Sequence, residues 1–126
     1  MKAKQLTVYV NDAPGALASI ARALADSKVN ITGLLGFANE ALSPVRLLVD
    51  KPAQAKKALR AAGLEPSEED VLVVTVADKP GTLAQVAEKL AANGINIQSA
   101  YASGGGKKVR LVMVVSDIAR ASRLVR

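Results

Sequence analysis

Residues 5–10, "QLTVYV", alternate: Leu6, Val8 and Val10 lie on one side and Thr7 and Tyr9 on the other, the period of a half-buried strand. The period then lengthens. Leu17, Ile20, Ala21 and Leu24 recur at helical spacing, as do Leu83, Val86, Ala87 and Leu90, so two amphipathic helices are expected, with Leu17 and Leu83 heading their buried stripes. Pro14 and Pro80 suit the first helical turn, where a missing N–H does no harm. The helices should stop near Ser27 and Asn93. Gly94 is placed to take the left-handed conformation beyond the second one, where the first has Lys28; the same geometry there would strain Lys28 by roughly 1–2 kcal/mol, so that turn is expected to differ.

"VNITGLLGF" and "INIQSAYA" read as strands, and "PVRLLVD" and "KVRLVMVV" as their partners, the second pair joined by the turn "SGGGKK". A further helix, "KPAQAKKALRAAG", stops at Gly63 and leads through a short closing strand near Leu64–Ser67 into "VLVVTV". "SDIARASRLVR" starts its counterpart, after which the chain stops at Arg126 without a closing strand. That leaves a sheet edge which another chain could complete.

The two halves share more than a pattern. Asp12 and Asp78, Pro14 and Pro80, Gly15 and Gly81, Leu17 and Leu83, Asn30 and Asn96, and Ile31 and Ile97 are all 66 positions apart. A 126-residue chain with this period is expected to hold two units, 1–68 and 69–126, each strand–helix–strand–strand–helix. Helices that connect strands pack on one face of the sheet. The predicted class is therefore α+β, two ferredoxin-like βαββαβ units with antiparallel sheets and helices on one face, the second truncated at its C-terminal end. Units this small bury limited surface, so they should share a core or dimerise.

Half of the residues are hydrophobic, but Tyr9, Phe37 and Tyr101 are the only aromatics, so the core must be aliphatic. Cysteine and histidine are both absent, which excludes disulfides, thiolate or imidazole metal sites and the usual Ser-His or Cys-His nucleophile pairs. No close carboxylate pair is visible, so no enzyme and no cofactor is expected. With no apolar run approaching a membrane span, the chain reads as cytoplasmic and free of membranes.

A net charge of +6 raises the question of nucleic acid, but the cations are scattered and "KKVRLVMVV" lacks the stacking aromatics of an RNA-recognition strand. No nucleic-acid partner is expected. "SGGGKK" fails as a phosphate loop, since Tyr101 and Lys108 stand where glycine and Ser or Thr are needed.

A strand ending in "V-x-D-x-P-G-x-L", an amphipathic helix and then "N-I" entering a strand resembles the ACT domain, in both copies and over almost the whole chain; "DKPGTLAQVAEKLAANGINIQSAYA" is the closer match. The resemblance implies βαββαβ regulatory modules that bind amino acids at domain or subunit interfaces and control enzymes of amino-acid metabolism. With no enzyme domain in these residues, the target would be a separate polypeptide, and a homodimer is expected.

The residue chemistry is compatible with that implication. Glycine without a Cβ admits a ligand to the backbone, and the helix N-terminus behind it offers N–H groups to a carboxylate. An ammonium group could be received by Asp12 and Asp78, or by Asn30 and Asn96. Candidate ligand-binding residues are therefore Asp12, Ala13, Pro14, Gly15, Ala16, Leu17, Asn30 and Ile31, with Asp78, Lys79, Pro80, Gly81, Thr82, Leu83, Asn96 and Ile97 in the second copy. The competing structural roles are an Asp helix cap, an ordinary Pro-Gly turn and, for the leucines, core packing. The alternative function is a protein-interaction or dimerisation module that binds no ligand.

Overall fold

The computed structural model describes residues 1–38 and 42–125; Arg126, at the end of the expected last helix, lies outside them. The elements are β1 (Lys2–Asn11), α1 (Ala16–Asp26), β2 (Ile31–Gly36), β3 (Leu42–Val49), α2 (Pro52–Ala61), β4 (Ser67–Ala77), α3 (Thr82–Ala92), β5 (Ile97–Ser103), β6 (Lys108–Val115) and α4 (Ile118–Leu124). They form two compact units, Lys4–Glu69 and Asp70–Arg126 with Met1–Ala3. Each is α+β, with antiparallel pairing and a βαββαβ-like order of elements.

In the Lys4–Glu69 unit, β3 lies between β2 and β1 and is antiparallel to both. The start of β4 closes this unit: the Ser67 hydroxyl donates to the Thr7 carbonyl at 3.4 Å, and Gln5 Nε2 donates to Glu69 Oε1 at 3.1 Å. In the other unit β6 lies between β5 and β4, again antiparallel. Here the closing position is taken by Met1–Ala3 of the same chain. Met1 and Val73 exchange two bonds, Val73 N–H to the Met1 carbonyl at 2.8 Å and the Met1 amine to the Val73 carbonyl at 3.1 Å. The edge expected to be bare at Val73 is therefore occupied without another chain.

Each core lies between one sheet face and two helices, and the 66-residue period runs through both. Leu6, Val8, Ile20, Leu24 and Val29 are buried in one; Leu72, Val74, Val86, Leu90 and Ile95 are buried at the matching positions of the other. Val45, Leu47, Ala55 and Leu59 are matched in the same way by Leu111, Met113, Ala121 and Val125. Even α2 and α4 are thus copies, although their surface residues differ.

The helix ends also repeat. After α1, Val29 N–H reaches the Leu24 carbonyl at 2.9 Å and Lys28 N–H reaches Ala25 at 3.0 Å; after α3, Ile95 reaches Leu90 at 2.9 Å and Gly94 reaches Ala91 at 3.0 Å. Both are Schellman turns with a buried apolar residue folded back on the helix. Lys28 has φ 59° and Gly94 φ 72°, so the first turn does not differ from the second as expected. Burial of Val29 holds Lys28 in the left-handed region.

Candidate functional site

Pro14 and Pro80 do not enter their helices. They occupy tight turns just before them, closed by Ala16 N–H to the Ala13 carbonyl at 3.3 Å and by Thr82 N–H to Lys79 at 3.4 Å. Gly15 (φ 89°, ψ −8°) and Gly81 (φ 93°, ψ −16°) sit at the third position with type II dihedrals. Backbone geometry is therefore one reason these positions are glycine. Nothing lies within 4 Å of where a Cβ would stand at either, so the space beside each turn is also open.

Neither α1 nor α3 has a side-chain cap on its N-terminus, so the capping role considered for Asp12 and Asp78 is not adopted. Both carboxylates lack a hydrogen-bond or ion-pair partner among the described residues. The first N–H of each helix, that of Ala16 or Thr82, closes the turn, and the next two have no side-chain cap, leaving partial positive charge at the helix start. The second loop is tied more tightly, because the Thr82 hydroxyl also donates to the Lys79 carbonyl at 3.1 Å.

Leu17 and Leu83 are 48% and 54% exposed, which overturns their reading as core residues. The buried stripe passes instead through Ile20 and Leu24, with half-buried Ala16 in line one turn earlier; Leu17 stands about 100° away from Ala16 around the axis. Val86, Leu90 and half-buried Thr82 form the same row in α3.

Asn30 and Asn96 are not brought to the loops of their own units. The chain leaves β1 at the loop, runs back along an 11-residue helix of about 16 Å and enters β2 at the far end of the sheet. There the Asn30 N–H donates to Asp50 Oδ1 at 2.9 Å, and Asp50 N–H donates to the Asn30 carbonyl at 3.1 Å. Asn96 is clasped in the same way by Ser116, at 2.9 Å in both directions. Ile31 and Ile97 follow, half-buried against their cores. Within a unit, these residues hold the entry to a strand.

In the Lys4–Glu69 unit two clefts flank the first loop, each of about 490 Å3. One lies towards α2 and is lined by Ala13–Ala16 with Tyr9, Leu42, Ala62 and Leu64. The other lies towards β2 and is lined by Asp12, Ala13, Ala16 and Leu17 with Leu34, Leu35, Phe37, Ser43 and Val45. A cleft of the other unit, about 410 Å3, is lined by Val74, Val76, Gln85, Lys89 and Arg123, among others, and by none of Asp78–Leu83. Sequence reasoning missed Ser43, Leu34 and Phe37. Ser43 could have been found as the polar break in the alternating row Ser43, Val45, Leu47, Val49.

Among the described residues no group of three or more acidic side chains could hold a metal, and no helix is long and apolar enough to cross a membrane.

A family model, that of the ACT domain, matches residues 71–126. None of the curated protein sequences matches the chain. Among solved structures, a protein from Bacteroides thetaiotaomicron is similar at 27% identity and a TM-score of 0.92, over 98% of this chain and 86% of that one. The ligand-free regulatory subunit of aspartate kinase from Thermus thermophilus is similar at 17% identity and a TM-score of 0.72, over 96% and 89% of the two chains. A structure of aspartokinase alpha and beta subunits is similar at 21% identity and a TM-score of 0.64, over 98% and 93%. The fold is that of the aspartate kinase regulatory subunit.

Proposed function

We propose that this chain is a tandem pair of ACT domains, 1–68 and 69–126, which binds a free amino acid and regulates a separate enzyme rather than catalysing a reaction. The observation that carries the proposal is the first loop. Asp12 offers an unpaired carboxylate, α1 offers uncapped N–H groups, and both border a cleft of about 490 Å3, well within the range of small-molecule sites. An ammonium group pairs with Asp12 while a carboxylate meets the N–H groups of Leu17 and Ala18, since that of Ala16 closes the turn. The ACT match over residues 71–126 and the 66-residue repeat support extending the family to the first half. Likeness to a regulatory subunit supports a partner enzyme on another chain.

Asn30, Ile31, Asn96 and Ile97 contribute to a ligand if a second copy brings its strand entry to a loop. Exposed Leu17, Leu34, Phe37 and Leu42 around the first loop favour such a homodimer, since together they leave apolar surface beside the clefts. The same surface supports the rival reading, an interaction module without a ligand.

A thermal-shift screen of the twenty amino acids tests the proposal. A bound ligand at 100 times its dissociation constant adds about 2.7 kcal/mol and raises Tm by several degrees. Asp12→Asn should abolish most of that shift. A flat response to all twenty would overturn sensing in favour of the interaction module.

A further inference from the structure

The cleft towards β2 has a polar floor and an apolar rim. Ser43 lines it at 7% exposure, and its Oγ is buried with no hydrogen-bond partner among the described residues. It stands opposite Val10 in the β1–β3 register, on the side of the sheet that carries Val45 and Leu47 into the core. The matching position of the second repeat is Val109. A valine at position 43 would avoid an unpaired hydroxyl, a feature that is unfavourable in a folded chain unless something else satisfies it. Ser43 already lines the cleft, and its hydroxyl has three staggered χ1 wells from which to meet a ligand.

The rim has the opposite character. Leu17, Leu34 and Phe37 line the same cleft and are 48%, 43% and 49% exposed. Resting on the amino-acid reading above, we infer that the ligand enters this cleft head first, its polar end bonded to Ser43 Oγ beside Asp12, its side chain lying outward along Leu17, Leu34 and Phe37. The class selected is amino acids with large aliphatic or aromatic side chains. The reverse pose would press an apolar side chain against the unpaired hydroxyl and leave the charged end over leucine and phenylalanine. Because the rim is open, affinity rises with the apolar area covered and has no sharp size limit.

The test is calorimetric titration of the intact chain, wild type, Ser43→Ala and Leu34→Ala, with L-alanine, L-valine, L-leucine and L-phenylalanine. Wild type should bind leucine and phenylalanine more tightly than valine, and valine more tightly than alanine. Ser43→Ala should weaken every ligand by a common factor of roughly ten, the effect of one charge-assisted hydrogen bond, while the unliganded Tm stays level or rises. Leu34→Ala should weaken leucine several-fold and leave alanine unchanged. Unaltered binding by Ser43→Ala, or a lower unliganded Tm in that variant, would overturn the inference while leaving amino-acid sensing intact. Preference for alanine over leucine would overturn it too. No binding by any amino acid would remove both.

Discussion

Lys28 carries a residue-scale consequence of duplication, because it fills a turn that suits glycine. Its φ of 59° costs roughly 1–2 kcal/mol relative to glycine, offset in part by the greater freedom glycine has in the unfolded chain. Lys28→Gly should therefore stabilise the protein by about 1 kcal/mol in urea unfolding, and Gly94→Ala should destabilise it by a similar amount. The bond from Lys51 Nζ to the Lys28 carbonyl, 3.1 Å, survives the change because it uses the backbone. Tyr101 gives a second test. Its hydroxyl is buried without a partner among the described residues, and burial raises its pKa above the usual 10.0, partly opposed by the Arg110 guanidinium. Above that value the unfolded chain has lost a proton that the folded one keeps, so this stabilisation is complete below pH 10 and declines as pH rises. Tyr101→Phe should be at least as stable as wild type at about pH 8 and gain on it at about pH 11. Equal pH slopes for the two proteins would refute the linkage.

At the scale of elements, hydrophobic spacing gave α1 and α3 their places and the centres of their buried faces, Ile20 and Leu24, Val86 and Leu90, but not the first turn of each. Leu17, Ile20, Ala21 and Leu24 fit a helical stripe on paper, yet a row through Ala16, Ile20 and Leu24 fits equally well, and the sheet beneath selects it. The turn explains why the sequence could not decide. A type II Pro-Gly turn sets the direction from which the helix starts, and that direction depends on φ at Gly15, which no periodicity records. The loops themselves were legible, because Asp, Pro and Gly recur 66 positions apart; Ser43 was not, because its meaning comes from strand register and from a cleft formed by distant residues. The face assignment has a direct test. Leu90, fully buried, should cost roughly 2–5 kcal/mol when replaced by alanine, whereas Leu83→Ala should cost only about 0.5 kcal/mol. Comparable losses in urea denaturation would place Leu83 in the core after all.

For the molecule as a whole, the compact units do not follow chain order at one point: Met1–Ala3 groups with residues 70–126 while the rest of β1 belongs with residues 4–69. Sequence order hides this, since a strand contributed from 72 residues away leaves no local signal. Its effect is physical all the same. Val73 is nearly buried and its N–H and carbonyl are both paired with Met1, so the outer edge of β4 is covered there. A chain lacking residues 1–3 should expose that edge. In hydrogen exchange the Val73 amide should lose protection, while the Val112 amide, on the strand paired with β4 from the other side, keeps more of its own. A bared strand edge also recruits strands from other molecules. The shortened chain should accordingly form larger species in sedimentation than the full chain does at the same concentration. Unchanged protection at Val73 would mean that its pairing with Met1 does not persist in solution.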